Sequence, residues 1–450
     1  MSIYRAYDIR GVYNQDLTCE VAENIGKAYA TYINGGEVVV GFDARESATS
    51  LRDSLVKGLT LGGCDVVDVG MVPTPVLYFT ISHYKKDGGI MITGSHNPPE
   101  YNGFKLCRGT HTLYGKEIQE LRRIIDSGEY RVGEGRVKKL DVKEIYLSYV
   151  AERISLDKKI SVVVDGGNGA VDDVAEKLFS RLDCEVSCIY CQPDGSFPNH
   201  FPDPTVDENL KDLIGRVREN KADLGVAFDG DCDRLGVVDG SGNIVRGDQI
   251  LVLFARQVLE RKPGSRIIFE VKCSQALIDE IKKEGGVPVM YRTGHSFIKK
   301  KMREEGSPLA GEMSGHFFFA DNYYGFDDGI YAAARLMEIL SKSGKTLAEL
   351  VEGMPHYHST PEIRLKCDEK EKFGIVEEMR EKFREEYDVI DIDGVRVEFG
   401  DGWGLVRASN TEPAIILRFE AETNARLKEI KGIIVKELVK FPSLADITII

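Results

Sequence analysis

Three similar α/β domains followed by a C-terminal antiparallel α+β domain is the fold class this sequence predicts, on three observations. A strand–helix–strand cadence recurs three times along the chain, each time with its own polar, Gly-rich loop. The residues after about 358 break that cadence and carry a hairpin signal at Asp401-Gly402. A length of 450 residues suits about three domains and leaves room for a fourth.

The first unit runs from an apolar stretch at 38–42 through helical periodicity at 47–61 and the break Gly62-Gly63 to a β-rich run at 65–69. The second has the run 161–164, a helix at 170–182 and the run 185–190. The third has the run 266–271, a helix at 274–284, the break Gly285-Gly286 and the run 287–291. Such a unit closes with a right-handed crossover, and helices then cover both faces of its sheet. One large doubly wound sheet is the alternative. The separate signature loops favour separate domains, at 1–147, 148–250, 251–357 and 358–450. The last domain reads as strand 360–366, helix 370–387, strands 394–399 and 403–407 about Gly400-Asp401-Gly402, strand 414–420 and helix 425–440.

Hydrophobic residues at 42% and charged residues at 29% describe a soluble globular chain with ample core. No apolar run approaches the roughly 20 residues of a membrane span, and the N-terminus has no apolar signal region. The expectation is a cytoplasmic protein, a monomer or small homo-oligomer, that engages no membrane. A net charge of −14 argues against nucleic-acid binding as well. An anionic ligand on such a chain requires basic residues converging in one cleft. The nine cysteines read as reduced thiols. Cys188-Ile189-Tyr190-Cys191, a lone CxxC, reads as half-buried strand cysteines rather than a zinc site.

Five segments carry chemistry. In Thr93-Gly94-Ser95-His96-Asn97-Pro98-Pro99, closed by Lys105, a hydroxyl, a proton acceptor and a cation meet in one constrained loop. These are the parts of a phosphoryl-carrying serine, although a plain surface turn has the same composition. Asp229-Gly230-Asp231-Cys232-Asp233-Arg234 follows an apolar run and places three carboxylates at alternate positions, on one side of an extended segment. Oxygen ligands alone select Mg²⁺ or Ca²⁺, and open coordination positions suit Mg²⁺ in phosphoryl transfer. A calcium EF-hand fails because Arg234 stands at its glycine position and Gly240 at its terminal glutamate. An aspartyl-phosphate loop of haloacid dehalogenase type is the other rival, with Asp233 where that motif has Thr or Val.

Gly311-Glu312-Met313-Ser314-Gly315-His316 alternates Glu, Ser and His, which in an extended loop point one way, toward sugar hydroxyls. Arg407-Ala408-Ser409-Asn410-Thr411-Glu412-Pro413 supplies a guanidinium, two hydroxyls and an amide, the inventory of a phosphate clamp. Arg5-Ala6-Tyr7-Asp8-Ile9-Arg10-Gly11 is uninformative alone. Lys299-Lys300-Lys301 reads as a solvated helix face.

Together and in order, these loops resemble the signature of the α-D-phosphohexomutase superfamily, phosphomannomutase/phosphoglucomutase type, over nearly the whole chain. The resemblance implies four domains around a central cleft and an isomerase that interconverts hexose 1-phosphate and hexose 6-phosphate, of mannose and/or glucose. It implies a phosphoserine at Ser95, Mg²⁺ held by Asp229, Asp231, Asp233 and a phosphoserine oxygen, and a hexose 1,6-bisphosphate that is both intermediate and activator. Glu312 and Ser314 resemble the sugar readers, and Arg407, Ser409, Asn410 and Thr411 the phosphate clamp. Tyr7, Arg10, His96, Lys105, Arg234, Lys272, His295 and His316 resemble cleft residues, with His96 and Lys105 placed for proton transfer. Two alternatives stay open at this point. One is a phosphoglucosamine mutase, a type with Gln at the Met313 position and Gly at the Asn410 position. The other is a non-catalytic hexose-phosphate sensor.

Overall fold

The computed structural model describes residues 3–5, 7–409 and 413–444, and among them four separate sheets form around a central cleft. In the first sheet the parallel strands Gly88–Ile92, Gly36–Phe42 and Cys64–Met71 lie side by side, and Tyr101–Arg108 pairs antiparallel with the outer edge of Gly88–Ile92. The second repeats this order with Leu224–Phe228, Ser161–Asp165 and Glu185–Ile189, flanked by antiparallel Leu235–Asp239. The third repeats it with Leu309–Gly311, Arg266–Glu270 and Val287–Tyr291, flanked by antiparallel Phe317–Phe319.

The shared order has a consequence for the site. In each unit the chain leaves the last parallel strand at its carboxyl end and turns back as the antiparallel strand. That single connection carries Ser95 in the first domain, Asp229, Asp231 and Asp233 in the second, and Glu312 through His316 in the third. Ligands of open α/β sheets bind outside the carboxyl ends of the strands, and all three loops emerge there.

Strand periodicity explains how the units are held. Val38 and Val40 enter a core with the helices Cys19–Ile33 and Ala48–Leu61. Val39, on the other face, joins a second core that also contains Phe79, Val162 and Phe254 and so runs through all three α/β domains. The helix expected at 170–182 spans only Val174–Arg181. The preceding residues form a loop with Asn168 and Asp172 at positive φ, and a Cβ on Gly169 would lie 2.7 Å from the Gly230 carbonyl oxygen. The loop is kept irregular by its contact with the acidic loop. All nine cysteines are free, and Cys188 and Cys191 are half-buried. No helix among the described residues is long and apolar enough to cross a membrane.

The fourth sheet is antiparallel. It places Ile363–Lys366 beside Ala414–Ala421, followed by Gly402–Ala408, Val395–Glu398 and Asp388–Ile390. The helices Lys372–Arg384 and Asn424–Leu438 cover it with a core of its own. It docks on the third domain through Trp403, which packs with Val271 and Leu405. The Arg396 guanidinium lies 3.8 Å from the Trp403 ring centre and donates to the carbonyl oxygens of Val271 and Cys273, both at 3.0 Å. This fully buried guanidinium uses one nitrogen for both interface bonds, and its removal would orphan the two carbonyl acceptors.

Trp403 is the only tryptophan, so its emission reports this contact. Arg396→Ala should lower the denaturant midpoint followed by tryptophan fluorescence, by about 3 kcal/mol of stability. An unchanged midpoint would show that the docking does not depend on the guanidinium.

Candidate active site

Three aspartates with essentially no solvent exposure form the floor of the cleft. Oxygen atoms of Asp229, Asp231 and Asp233 lie within 4.8 Å of one another, and such a group could hold a metal ion. The segment is a turn rather than the extended strand expected from alternation. Cys232 adopts φ 63° and its amide donates to the Asp229 carbonyl at 3.0 Å, which folds the carboxylates toward one point. Parity in sequence therefore grouped three residues that the fold does bring together, but through a different geometry.

Three buried like charges need cations. Lys105 from the first domain supplies one, with Nζ 2.6 Å from Asp231 and 2.5 Å from Asp233. Burial opposes the Lys105 charge, but these carboxylates outweigh it and raise its pKa. Burial likewise opposes ionisation of Asp231, and Lys105 reverses this to hold Asp231 below the usual carboxylate range. Asp229 is pushed well above that range, first by burial and then by Asp233 and Asp231. The Asp231 and Asp233 Oδ1 atoms are buried without a hydrogen-bond partner among the described residues. An all-oxygen donor set with two unsatisfied carboxylate oxygens fits a hard divalent cation.

Ser95 is placed against this floor. Its Oγ donates to Asp229 Oδ2 at 2.8 Å and lies 3.1 Å from His96 Nδ1. Its φ of 49° is a left-handed value that a non-glycine residue adopts at a cost, so the loop must be imposed from outside. Arg45 imposes it. The buried guanidinium donates to the carbonyl oxygens of Ser95 at 2.8 Å and Tyr101 at 2.9 Å, and to those of Asn97 and Pro98 at 2.5 Å. Asp43 holds Arg45 Nε at 3.2 Å and accepts from Thr93 Oγ1 at 2.8 Å and the Gly94 amide at 3.1 Å. On the facing loop, a Cβ on Gly230 would sit 2.4 Å from the Ser95 carbonyl oxygen, so only glycine permits this approach.

Burial, with Arg234 as the next cause, pulls His96 well below the ordinary histidine value and keeps it neutral. Arg234 links the acidic loop to the third domain. Its amide donates to Asp229 at 3.1 Å and its Nε to His316 Nε2 at 3.1 Å. His316 Nδ1 faces Asp327 at 3.3 Å and Asp233 at 3.6 Å. Burial opposes protonation of His316, but Asp233 prevails and raises its pKa. His295 Nδ1 meets the same Asp327 at 3.2 Å, yet burial and then Lys299 lower His295 to about 4.

The 311–316 loop is also a turn. The Glu312 amide donates to the His316 carbonyl at 2.9 Å and the Gly315 amide to the Glu312 carbonyl at 3.0 Å. Gly315 has φ 92°, and a Cβ there would stand 2.5 Å from the Leu235 carbonyl oxygen. Glu312 and His316 therefore face each other across a hairpin with Ser314, partly exposed, at its tip. Glu312 Oε1 accepts from the Gly294 amide at 2.6 Å, and burial raises its pKa.

The remaining expected residues line the approach. Arg10 donates to Asp8 at 2.6 Å and to Asn97 in the serine loop. Tyr7 reaches the Thr293 carbonyl at 3.5 Å and meets the His295 ring edge-on. Lys272 bridges Glu362 at 2.9 Å and Glu270 at 3.4 Å. Arg407 Nε donates to Asp393 at 2.6 Å. Ser409 is buried, with its carbonyl accepting from Lys372 at 2.7 Å. Asn410 and Thr411 lie outside the described residues.

Sequence reasoning missed Asp43, Arg45, Thr74 and Asp327. Thr74 binds Asp231 twice, through Oγ1 at 2.5 Å and through its amide to the Asp231 carbonyl at 2.8 Å. Asp43-Ala44-Arg45 stands just beyond the carboxyl end of Gly36–Phe42, a position that could have raised it. Thr74 and Asp327 had no comparable signal. Lys299 corrects the reading of its triplet as a solvated face. It is buried and pairs with Asp327 at 2.9 Å, while Lys300 alone of the three is exposed.

Comparison with known proteins agrees with this arrangement. Four models of the phosphoglucomutase/phosphomannomutase family match in order: α/β/α domain I over 1–131, domain II over 144–242, domain III over 246–357 and the C-terminal domain over 362–437. A phosphomannomutase/phosphoglucomutase of Pseudomonas aeruginosa is 49% identical over 441 residues, covering 97% of this chain and 95% of the relative. A phosphoglucomutase of Neisseria gonorrhoeae is 45% identical over 438 residues, 96% of this chain and 95% of the relative. The crystal structure of a phosphoglucomutase/phosphomannomutase family protein from Burkholderia thailandensis superposes with TM-score 0.92 at 44% identity, covering 97% of each chain.

The Lys272–Glu362 pair joins the third and fourth domains and sets a pH dependence. Lys272 is the main cause that lowers Glu362 to about 2. A depressed carboxylate contributes stability above its unfolded value of about 4.5 and loses it as pH falls through about 2. Glu362→Gln should therefore cost about 3 kcal/mol at pH 6 and only about half of that at pH 3. Chemical denaturation of both proteins at the two pH values checks this, and a pH-independent difference would refute the assignment.

Proposed function

The chain belongs to the phosphoglucomutase/phosphomannomutase family, and from that premise we propose that Ser95 is its phosphoryl carrier in the interconversion of hexose 1-phosphates and hexose 6-phosphates, with mannose and/or glucose as the sugar. The observation that carries this reading is the Ser95 hydroxyl, 2.8 Å from a buried carboxylate of an all-oxygen group that could hold a metal ion and 3.1 Å from a neutral histidine.

In this reading phosphorylated Ser95 passes its phosphoryl group to the free 1- or 6-hydroxyl of a bound hexose phosphate. The Oγ–P bond breaks as the sugar O–P bond forms, and the hydroxyl proton leaves to a nearby base. The hexose 1,6-bisphosphate then turns around, and Ser95 recovers the other phosphoryl group. His96 suits proton transfer at Ser95 because its buried ring is neutral and its Nδ1 already faces Oγ. Lys105 suits charge neutralisation better, since its raised pKa keeps it an ammonium. Asp229, Asp231 and Asp233 would hold Mg²⁺, with a phosphoserine oxygen completing the set. When bound, the ion withdraws charge from the transferring phosphoryl oxygens.

Glu312 and Ser314 serve as sugar readers, with His316, His295, Tyr7 and Lys272 around them. Arg10, Arg234, Arg407, Ser409, Asn410 and Thr411 are the phosphate-handling set, and domain boundaries near 147, 250 and 357 go with these roles. The phosphoglucosamine and sensor alternatives have no observation that favours them. A sensor needs neither Ser95 nor three metal carboxylates. Turnover of glucose 1-phosphate or mannose 1-phosphate with Mg²⁺ and trace hexose 1,6-bisphosphate as activator is the test.

Two variants sharpen it. Ser95→Ala should lose nearly all turnover while folding normally, and activity near that of the parent protein would remove Ser95 as carrier. Asp231→Asn should weaken the Mg²⁺ dependence of activity about tenfold or more, since one ligand charge is lost while the site retains its shape. An unchanged Mg²⁺ titration would refute the metal assignment.

A further inference from the structure

A cavity of about 300 Å³ lies between the first and third domains, and of the residues described at the site only Lys299, the partner of Asp327, lines it. The volume is at the small end of ligand pockets. Its lining has three cations, Lys262, Lys299 and Arg303, and no carboxylate. Lys299 and Lys262 are answered from behind, by Asp327 at 2.9 Å and Asp321 at 3.5 Å. Arg303 makes no ion pair within 4 Å among the described residues, and its guanidinium donates only to the Thr110 carbonyl at 3.4 Å and His111 Nδ1 at 3.0 Å.

A second observation concerns the same wall. Tyr78 lines the cavity, is 4% exposed, and its hydroxyl is buried with no hydrogen-bond partner among the described residues. Lys299 Nζ stands 4.4 Å from the Tyr78 ring centre. A buried phenol without an acceptor, beside a buried ammonium, costs free energy unless something arrives to accept. Ile81, Met302, Pro308 and Phe326 supply the apolar part of the wall, beside the hydroxyl residues Ser82, Thr110, Thr112, Ser265 and Ser307.

We propose that this cavity is a regulatory site for a small organic acid with an apolar body and one anionic head, carboxylate or phosphate. The head accepts from the Tyr78 hydroxyl and Lys299, with Arg303 as its counter-ion at the mouth, and the body packs on Met302 and Phe326. Occupancy reaches the active site through one carboxylate. Asp327 is held by Lys299 and also faces His295 Nδ1 at 3.2 Å and His316 Nδ1 at 3.3 Å. An anion that draws Lys299 toward itself loosens Asp327, and with it the two histidines. The binding half stands on the cavity alone, and the regulatory half rests on the function proposed above.

The probes are 4-fluorobenzoate and 4-fluorophenylphosphonate, followed by ¹⁹F NMR on the full chain. Saturable binding is expected below roughly 10 mM, a fragment-sized affinity. Whichever head the site prefers binds tighter, which distinguishes a carboxylate from a phosphate ligand. Arg303→Ala should weaken binding about tenfold, the worth of one charge-assisted contact, and 4-fluorobenzamide should be weaker by a similar factor. Ser82→Trp, which fills the cavity from a residue outside the catalytic machinery, should abolish binding with basal turnover intact. Glucose 6-phosphate should leave the benzoate bound.

No saturation by either acid, equal binding by both variants, or complete displacement by glucose 6-phosphate would overturn the site. At saturating 4-fluorobenzoate, kcat or KM for glucose 1-phosphate should shift by at least about twofold, which corresponds to about 0.4 kcal/mol. The Ser82→Trp protein should show no shift. Binding without a shift in the parent protein would overturn the regulatory half. A parent protein that never turns over glucose 1-phosphate or mannose 1-phosphate would instead fail the proposed function and leave the binding result standing.

Discussion

Three carboxylates buried within 4.8 Å of one another are the constraint on which the rest of the structure depends. Like charges at that separation in a poorly solvated place repel by several kcal/mol, and the fold must offset this before any ligand arrives. It does so with groups from outside the loop. Lys105 comes from one domain, Arg234 stands at the loop's end, and Thr74 gives both its hydroxyl and its amide to Asp231. Because these partners lie on both sides of the boundary between the first two domains, the repulsion that would open the loop becomes an attraction that joins the domains. Gly230 completes the contact by allowing the Ser95 backbone to approach.

The serine loop is the counterpart of that floor. A left-handed φ at Ser95 and four carbonyl oxygens turned toward one guanidinium describe a backbone held in place rather than relaxed. Arg45 accepts burial for this purpose, anchored by Asp43 and covered by the Phe197 ring at 5.0 Å. The consequence is mechanistic. In the reaction proposed above, a phosphoryl carrier must return to the same position after each half-reaction, and a loop without internal play would provide that through geometry alone. Asp43 and Arg45 touch no reacting atom in this arrangement. They are positioning residues.

Much of the fold was legible because strand and helix periods are written locally. Helices expected at 47–61 and 274–284 appear as Ala48–Leu61 and Gln275–Lys283, and the hairpin about Gly400-Asp401-Gly402 forms as read. The four sheets also decide against one large doubly wound sheet. The third parallel strand of each repeat went unrecognised as a repeated element, although the signature loops follow it. Leu309–Gly311 is too short to declare a period, while Gly88–Ile92 and Leu224–Phe228 are buried on both faces and so show no alternation. The candidate residues were found by chemical type. Their mutual placement was not, because Cys232 and Gly315 sit at positive φ and fold segments that alternation treats as straight. Residues that act through long-range contacts left no local trace, and Thr74 meeting Asp231 across 157 positions is the plainest case.

The cleft cations give a last step. On a chain of net charge −14, Arg10, Lys105, Arg234, Lys272 and Arg407 each face a carboxylate already, from Asp8, Asp231, Asp229, Glu362 and Asp393 in turn. In the reaction proposed above, an arriving phosphate would exchange one anion for another at each cation and gain only the difference between the two pairings. That difference is much smaller than the interaction of a bare guanidinium with phosphate. A modest net hold is what a reorienting bisphosphate requires, because contacts must be released for the second phosphoryl group to reach Ser95. The carboxylate then closes on its cation again, so that cation is not left unpaired during the turn. On that proposal, specific recognition and easy release would come from the same set of ion pairs.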